Sequence, residues 1–454
     1  MSIGITAVGA LPRNHAALKN PQKFFESAAD LAAEIFVPFF SSARIAEDHA
    51  FLQLFPNASE VMISLAEDGA VELDATTSPV GAGYHMLVAV YIDAIQKQLG
   101  VRWSEVSDEA DFYESKDAER VRGAFVDWSR ALANSMMSNK TESDSGLLVC
   151  MGMGEFFQYP APFITPFGPV TGTNMRLRAE SDHAAGAWMP WMDPAPDART
   201  ILTAAKSLMW CGVVWRLVDP DDAPEAELPP HRAMMQALDL LEAAHELDPE
   251  LDYPWHEWLE LLELADDDRA ITPIVESRAS QTPEPDEPIG YRRHEVTLLL
   301  PFGASITVPG ELTHMLTEEA WLAAGGSCSI HITPFSANEE DGEALRSAAA
   351  MLDEAWDPFM SDFEGEEVGA PFDFSNDGCV GRARHRVASP DDAEGEASED
   401  EGPTYLTQGL VAVPGSFLYC TLMYSDESER EWAERCFRSI NLRVREENSS
   451  DEGE

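Results

Sequence analysis

The chain has 454 residues, of which 81 are Asp or Glu and 30 are Lys or Arg, giving a formal net charge of −51 at neutral pH. A field of that sign and size opposes nucleic acid and anionic membrane, and it makes any attraction to a basic partner salt-dependent. Hydrophobic residues at 44% and aromatics at 9% exclude disorder throughout and supply cores for two or three domains.

The opening stretch MSIGITAVGALPRNHAALKN has no basic region ahead of its short apolar run, and no apolar run in the chain approaches a membrane span. The expected compartment is therefore the cytoplasm. Six cysteines, at 150, 211, 328, 379, 420 and 436, form no CxxC pair and read as reduced core thiols, which agrees with it.

Residues 1–270 predict a mixed helix and strand domain. Phe24, Ala28, Leu31 and Ile35 recur at i, i+4, i+7 and i+11, so residues 21–36 read as an amphipathic helix that stops before Pro38. Val61–Leu65 and Ala70–Asp74 flank Glu67-Asp68-Gly69, a hairpin signal. Tyr84, Val88, Tyr91 and Ile95 mark a second helix, residues 116–137 a third, and LLVCMGM (147–153) a buried strand. Residues 231–247, after Pro229-Pro230, carry Met234, Leu238 and Leu241 on one stripe. Trp255, Trp258, Leu259 and Leu262 repeat the pattern in the next helix.

Residues 271–290 lose the periodicity and gain Pro and acid, which reads as a linker. Residues 291–444 then turn to strands. HEVTLLLP and ASITVPG predict a hairpin closed at Phe302-Gly303, GSCSIHITPF a third strand, and 341–356 a helix with Leu345, Ala348, Leu352 and Trp356 on one face. CVGRARHRVAS, YLTQGLVAVPG and FLYCTLMYS add three strands, and EREWAERCFRSI a closing helix. The acidic stretches 389–403 and 445–454 read as an inserted loop and a tail. The predicted class is α+β in two domains.

Motifs of chemistry are sparse. Val80-Gly81-Ala82-Gly83-Tyr84-His85 precedes a helix but lacks the third glycine and any nearby cation of a phosphate loop, so it reads as a helix-opening turn. Eleven histidines are scattered without metal spacing, no GxSxG is present, and neither a metal nor a cofactor is expected. Ala187–Met192 and Leu208–Trp210 are Met- and Trp-rich and read as core, or as an adaptable apolar surface if exposed. The most unusual feature is Arg382, Arg384 and Arg386, which alternate along one strand and so point to one face. They are a candidate anion or carboxylate binding face, with the acidic stretch from Asp391 to Glu401 as an intramolecular partner.

The C-terminal third resembles the DcrB/PsbP-like family. The residues that carry the likeness are Val411, Val413, Pro414, Gly415, Thr421, Tyr424, Asp426, Trp432, Ala433, Glu434, Ser439 and Ile440, together with the earlier LLLPFGASITVPG. The resemblance implies an antiparallel sheet with packed helices. One branch of the family, the effector-associated chaperones of type VI secretion, shields apolar segments of toxins, which implies a non-enzymatic binding role.

The resulting expectation is a protein-binding protein: an adaptor, chaperone or immunity protein for a secreted toxin or another basic or apolar client. It is expected to bind neither nucleic acid nor membrane. The alternatives are an acidic inhibitor that mimics nucleic acid and an enzyme with an unrecognised site in residues 1–270.

Overall fold

A computed structural model describes residues 2–140, 149–150, 157–158, 163–217, 228–317, 319–326, 328–336, 347–361, 365–376, 378–388 and 403–443. The fold is α+β and separates into two units, Met1–Gly154 with Tyr159–Gly290, and Glu155–Gln158 with Tyr291–Glu454.

The first unit is built on six strands and ten helices among the described residues, with a small sheet beside them. β1 (Gly4–Ala10), β2 (Ser42–Ile45), β3 (His49–Gln53), β4 (Val61–Leu65), β5 (Ala70–Thr76) and β6 (Arg102–Asp108) pair antiparallel throughout, in the order β2-β3-β4-β5-β1-β6. Their period-2 pattern buries Ile5 and Ala7, Val61, Ile63 and Leu65, and Val71, Leu73 and Ala75 on one face.

That core also holds α1 (Pro21–Ile35) and α2 (Ala82–Leu99). Asn20 caps α1 by accepting from Lys23 N at 3.3 Å, and Pro21 occupies the first turn, where its missing N–H costs nothing. The buried Tyr91 hydroxyl donates to Ala28 O at 2.8 Å and so ties the two helices together.

α2 opens at Gly81, whose φ of 130° favours glycine. A Cβ at Gly83 would lie 2.0 Å from Asp193 O and 2.3 Å from the Trp191 ring, so Gly83 is what lets the Trp191 segment lie on the helix. The glycines of the VGAGYH stretch thus serve helix opening and close packing.

α3 (Phe112–Ser115), α4 (Ala118–Lys140), α5 (Gly172–Glu180) and α6 (Asp182–Ala187) accompany a short sheet of β7 (Val149–Cys150), β8 (Phe163–Thr165) and β9 (Gly168–Val170). Only two residues of the strand expected over 147–153 are described. α7 (Ala198–Ser207) runs into a π-helical turn, Leu208–Gly212, and packs on α8 (Leu228–Leu247). Met189, Trp191, Leu208, Met209 and Trp210 are all buried, so these Met- and Trp-rich stretches are core.

α9 (Trp255–Leu264) and α10 (Thr272–Ala279) follow α8. Here the structure corrects the sequence reading: the first part of the expected linker is α10, which packs on α9 and buries Val275 and Ala279 in the main core. Pro273 falls in the first turn of this helix, where it is tolerated.

In the second unit β10 (Glu295–Leu299) and β11 (Ala304–Pro309) form the expected hairpin, joined by β19 (Asn441–Leu442). The other sheet has seven antiparallel strands: β12 (Thr313–Leu316), β13 (Trp321–Gly325), β14 (Cys328–Ser336), β15 (Glu366–Asn376), β16 (Cys379–Val387), β17 (Tyr405–Val413) and β18 (Ser416–Tyr424). Their order is β12-β13-β14-β18-β17-β16-β15, so β12 and β15 are edges. β12, β13 and β15 were not expected.

The two helices lie on opposite faces. α12 (Arg430–Arg438) packs against β17, β18 and β11, with Phe437 fully buried edge-on to Phe372 and Phe374 at 5.9 and 5.7 Å between centroids. α11 (Ala348–Ser361) lies over β16 and β17. It starts later than expected; residues 341–346, Leu345 among them, and the acidic stretches at 389–402 and 444–454 fall outside the described residues.

The residues of the family-like motif are core and turn positions. Val411 and Val413 are buried, Gly415 has a φ of 84° in the β17–β18 turn, and Asp426 accepts from Ser428 N at 2.8 Å. Ser439 accepts from Thr307 N at 2.8 Å and so joins the end of α12 to β11.

Candidate functional site

The front face of the seven-stranded sheet, the one that α11 partly covers, is built by register. Ser375 and Asp373 on β15, Val380, Arg382, Arg384 and Arg386 on β16, and Ala412, Leu410, Gln408 and Leu406 on β17 share it. It continues through Phe417, Tyr419, Thr421 and Met423 on β18 and Ser329, His331, Thr333 and Phe335 on β14. Leu322 and Ala324 on β13 and Thr313 and Met315 on β12 complete it.

At the β15–β16 end the three arginines lie in one row, as their alternation requires. Arg382 donates to Asp373 at 2.8 Å and to Asp353 of α11 at 3.0 Å, and its guanidinium lies 5.4 Å from the Trp356 ring centroid. The hydrogen bond it donates to Asp373, against the opposing effect of burial, holds its pKa above the ordinary arginine value. Arg384 donates to Glu367 and to Met360 O at the end of α11, and Arg386 donates to the same carbonyl at 3.1 Å. Burial and then the neighbouring Arg384 lower the pKa of Arg386.

Side-chain exposures fall from 28% for Arg382 to 11% for Arg384 and 6% for Arg386. The row therefore seats α11: its charge meets carboxylates of β15 and α11 and a C-terminal helix carbonyl, a favourable place for a cation. The carboxylates come from Asp353, Glu367 and Asp373. The stretch from Asp391 to Glu401, the partner considered from sequence, lies outside the described residues.

The other half of the face is different. Phe359 of α11 contacts Phe335, Phe417 and Tyr419 at 5.0, 5.3 and 5.7 Å between centroids, so the helix's aromatic cover reaches these three residues. Beyond it Met315 is 58% exposed and Met423 38%, and His331 and Ala324 are exposed. The alternate residues of the same strands, Ile330, Ile332, Cys420 and Leu422, are buried on the back. Twelve front-face positions on β12, β13, β14 and β18 contain no Asp or Glu, in a chain with 81 of them. β15, by contrast, exposes Glu366, Glu367 and Asp373. The acid-free half was missed from sequence because it needs the register of four separated strands.

Two places in the first unit gather residue types used in catalysis. Thr77, His85 and Asp108 form a hydroxyl–imidazole–carboxylate chain, with 2.8 Å on each side of the ring. Burial opposes ionisation of Asp108, but hydrogen bonds from His85, Tyr113 N and Ala110 N outweigh it and hold the carboxyl below its ordinary range. Thr77 and His85 are fully buried and the Thr77 hydroxyl also lies against Ile3 O at 3.1 Å, so the chain pins β1, α2 and β6 together rather than facing a substrate.

An open cleft of about 890 Å³ lies along α6 and α7. Its Asp197 caps α7 by accepting from Thr200, and its Arg122 pairs with Glu119 and Asp193. Among the described residues no group of three His, Cys, Asp or Glu could hold a metal ion, and no helix is long and apolar enough to cross a membrane.

No family model matches the chain, and no curated protein matches it. A crystal structure from Bacteroides thetaiotaomicron is 11% identical and aligns with a TM-score of 0.22, covering 34% of this chain and 50% of its own. This chain thus spans half the length of that structure, and a likeness of this size carries no argument.

Proposed function

We propose that the chain is a cytoplasmic, non-enzymatic protein-binding protein whose acid-free half-face, β12-β13-β14-β18, receives an apolar segment of a client polypeptide. The observation that carries this reading is the composition of that half. A surface made acidic only for solvation would place carboxylates on solvent-facing strand positions, and this half of the face has none. The half-face instead offers Met315, Met423 and Leu322, flexible apolar side chains that adapt to varied partners, rimmed by Ser329, Thr333 and His331. Beside it β12 is the last strand of the sheet among the described residues, to which an extended segment can add.

The resemblance of the C-terminal third to the DcrB/PsbP-like family supports the same reading. Its specific form is an adaptor, chaperone or immunity protein for a secreted toxin or effector.

The net charge of −51 favours a second reading, an acidic mimic of nucleic acid that binds a basic protein. One experiment separates the two. A photoreactive residue is placed at Met423 on the open half, or at the exposed Asp357 of α11 as a control, and the chain is irradiated in extract of its native cells. The reading predicts a polypeptide cross-linked from 423 and not from 357, in equal yield at low and physiological salt. A mimic predicts a yield that collapses as salt rises. Equal labelling from both positions refutes a docking face on this half of the sheet.

A further inference from the structure

The positive charges of this acidic chain are not evenly placed. Residues 1–25 contain no Asp or Glu but include Arg13, Lys19 and Lys23, and residues 94–104 contain none but include Lys97 and Arg102. The fold brings these two acid-free stretches together. The loop and short 3-10 helix at Ala16–Lys19, the first turns of α1, and the C-terminal end of α2 enclose a cavity of about 280 Å³.

Its lining is His15, Ala16, Ala17, Asn20, Lys23, Phe24, Ser27, Gln98 and Leu99, without a carboxylate. Among the described residues none of Arg13, Lys19, Lys23, Lys97 and Arg102 forms an ion pair, while Arg44, Arg120, Arg122, Arg130, Arg269, Arg382 and Arg438 are among the cations that do. Of these cations Lys23 reaches the cavity lining, where no carboxylate stands beside it.

The cavity is also chemically polarised. The His15 Nδ1 accepts from Ala17 N at 3.3 Å, so in the neutral ring the proton is on Nε2, which is left as a donor. The Nε2 atom lies 3.4 Å from where a Cβ on Gly100 would stand, and glycine there keeps the approach to it open. Asn20 is committed to capping α1 and the Ser27 hydroxyl donates to Lys23 O at 2.9 Å, which leaves His15, Lys23 and Gln98 as the polar groups on the lining and Ala17, Phe24 and Leu99 as its apolar wall. The volume of about 280 Å³ falls just below the range for drug-sized ligand sites, roughly 300–1,000 Å³, and so fits a smaller molecule.

We propose that this corner of the first unit binds a small amphipathic monoanion, a carboxylate with an apolar acyl or aryl body. The carboxylate lies against His15 Nε2–H and Lys23, and the body against Phe24 and Leu99. The site is independent of the half-face in the second unit.

Isothermal titration of the full chain with octanoate tests it, with octylamine and octanol as probes of the same body and a different head. Saturable binding of octanoate is expected, with octylamine and octanol each weaker by about tenfold or more. Lys23→Glu and His15→Leu should each weaken octanoate by a similar factor, and Lys23→Gln by less. Thermal melts of the variants verify folding, and Lys23 is exposed, so its substitution leaves the core intact. Equal affinity for octylamine, undiminished octanoate binding by folded Lys23→Glu, or no saturable binding by the wild-type chain would each overturn the proposal.

Discussion

Truncation of Phe437 to Ala probes how the second unit is held together. The ring is fully buried, and it meets Phe372 and Phe374 edge-on, at interplanar angles of 87° and 90°. Removing a fully buried phenyl ring from a packed core costs about 3–5 kcal/mol, made up of lost transfer energy and an unfilled cavity. Each edge-to-face contact contributes about 0.5–1.5 kcal/mol beyond area, which places Phe437 in the upper part of that range. Against a usual total stability of about 5–15 kcal/mol, the loss should be plain in urea unfolding of the full chain. The transition of the second unit should move to lower urea with little change in slope, and that of the first unit should stay in place. Phe437→Leu, which refills most of the volume, should recover more than half of the loss. A shift equivalent to less than about 1 kcal/mol would mean that α12 does not close this core.

Other substitutions test the local arguments. Gly83→Ala puts a Cβ into the Asp193 backbone and the Trp191 ring and should lower the melting temperature by an overpacking penalty of about 1–3 kcal/mol; a neutral result would contradict the close approach. Asp108 has a depressed pKa, so its contribution to stability is full above the ordinary Asp value of about 3.9 and is lost as pH falls through the lower folded value. Asp108→Asn should therefore flatten the loss of stability on acidification, measured as urea midpoints across a pH series, and unchanged slopes would refute the assignment. Arg384→Ala removes a donor to Met360 O and the partner of Glu367, while Arg386 retains its bond to the same carbonyl. Amide exchange in the second half of α11 should accelerate by the equivalent of about 1–2 kcal/mol, and unaltered exchange would mean that the arginine row does not seat the helix.

Elements with strong local signals were legible in the sequence. Asn20-Pro21 and the Phe24–Ile35 stripe define α1, and Gly303, at a φ of 80°, closes the β10–β11 hairpin. The unexpected elements lack such signals. β15 is an edge strand exposed along most of its length, and Gly369, Pro371 and a register shift between Val368 and Phe372 interrupt its alternation of Val368, Ala370, Phe372 and Phe374. α10 buries only Val275 and Ala279, too few positions for a helical period to emerge.

The alternation of Arg382, Arg384 and Arg386 placed them on one face. Their partners could not be read, because Asp353, Glu367 and Asp373 reach them only through the register of β15 and the seat of α11. The missing carboxylates of GSCSIHITPF and FLYCTLMY were visible in the chain, but only strand pairing turns them into one face. The acid-free first 25 residues were equally visible and acquire meaning once α2 is seen to bring Gln98 and Leu99 beside them.

If the open half of the seven-stranded sheet docks an apolar client, the affinity of the chain for the polypeptide that cross-links to position 423 should differ between the wild type and Met423→Asp. Met423 is 38% exposed and contributes nothing to the buried back face, so folding should be preserved. A carboxylate at the centre of an apolar contact should weaken binding by about tenfold or more, from the cost of burying an unpaired charge. Unchanged affinity in the folded variant would contradict the account.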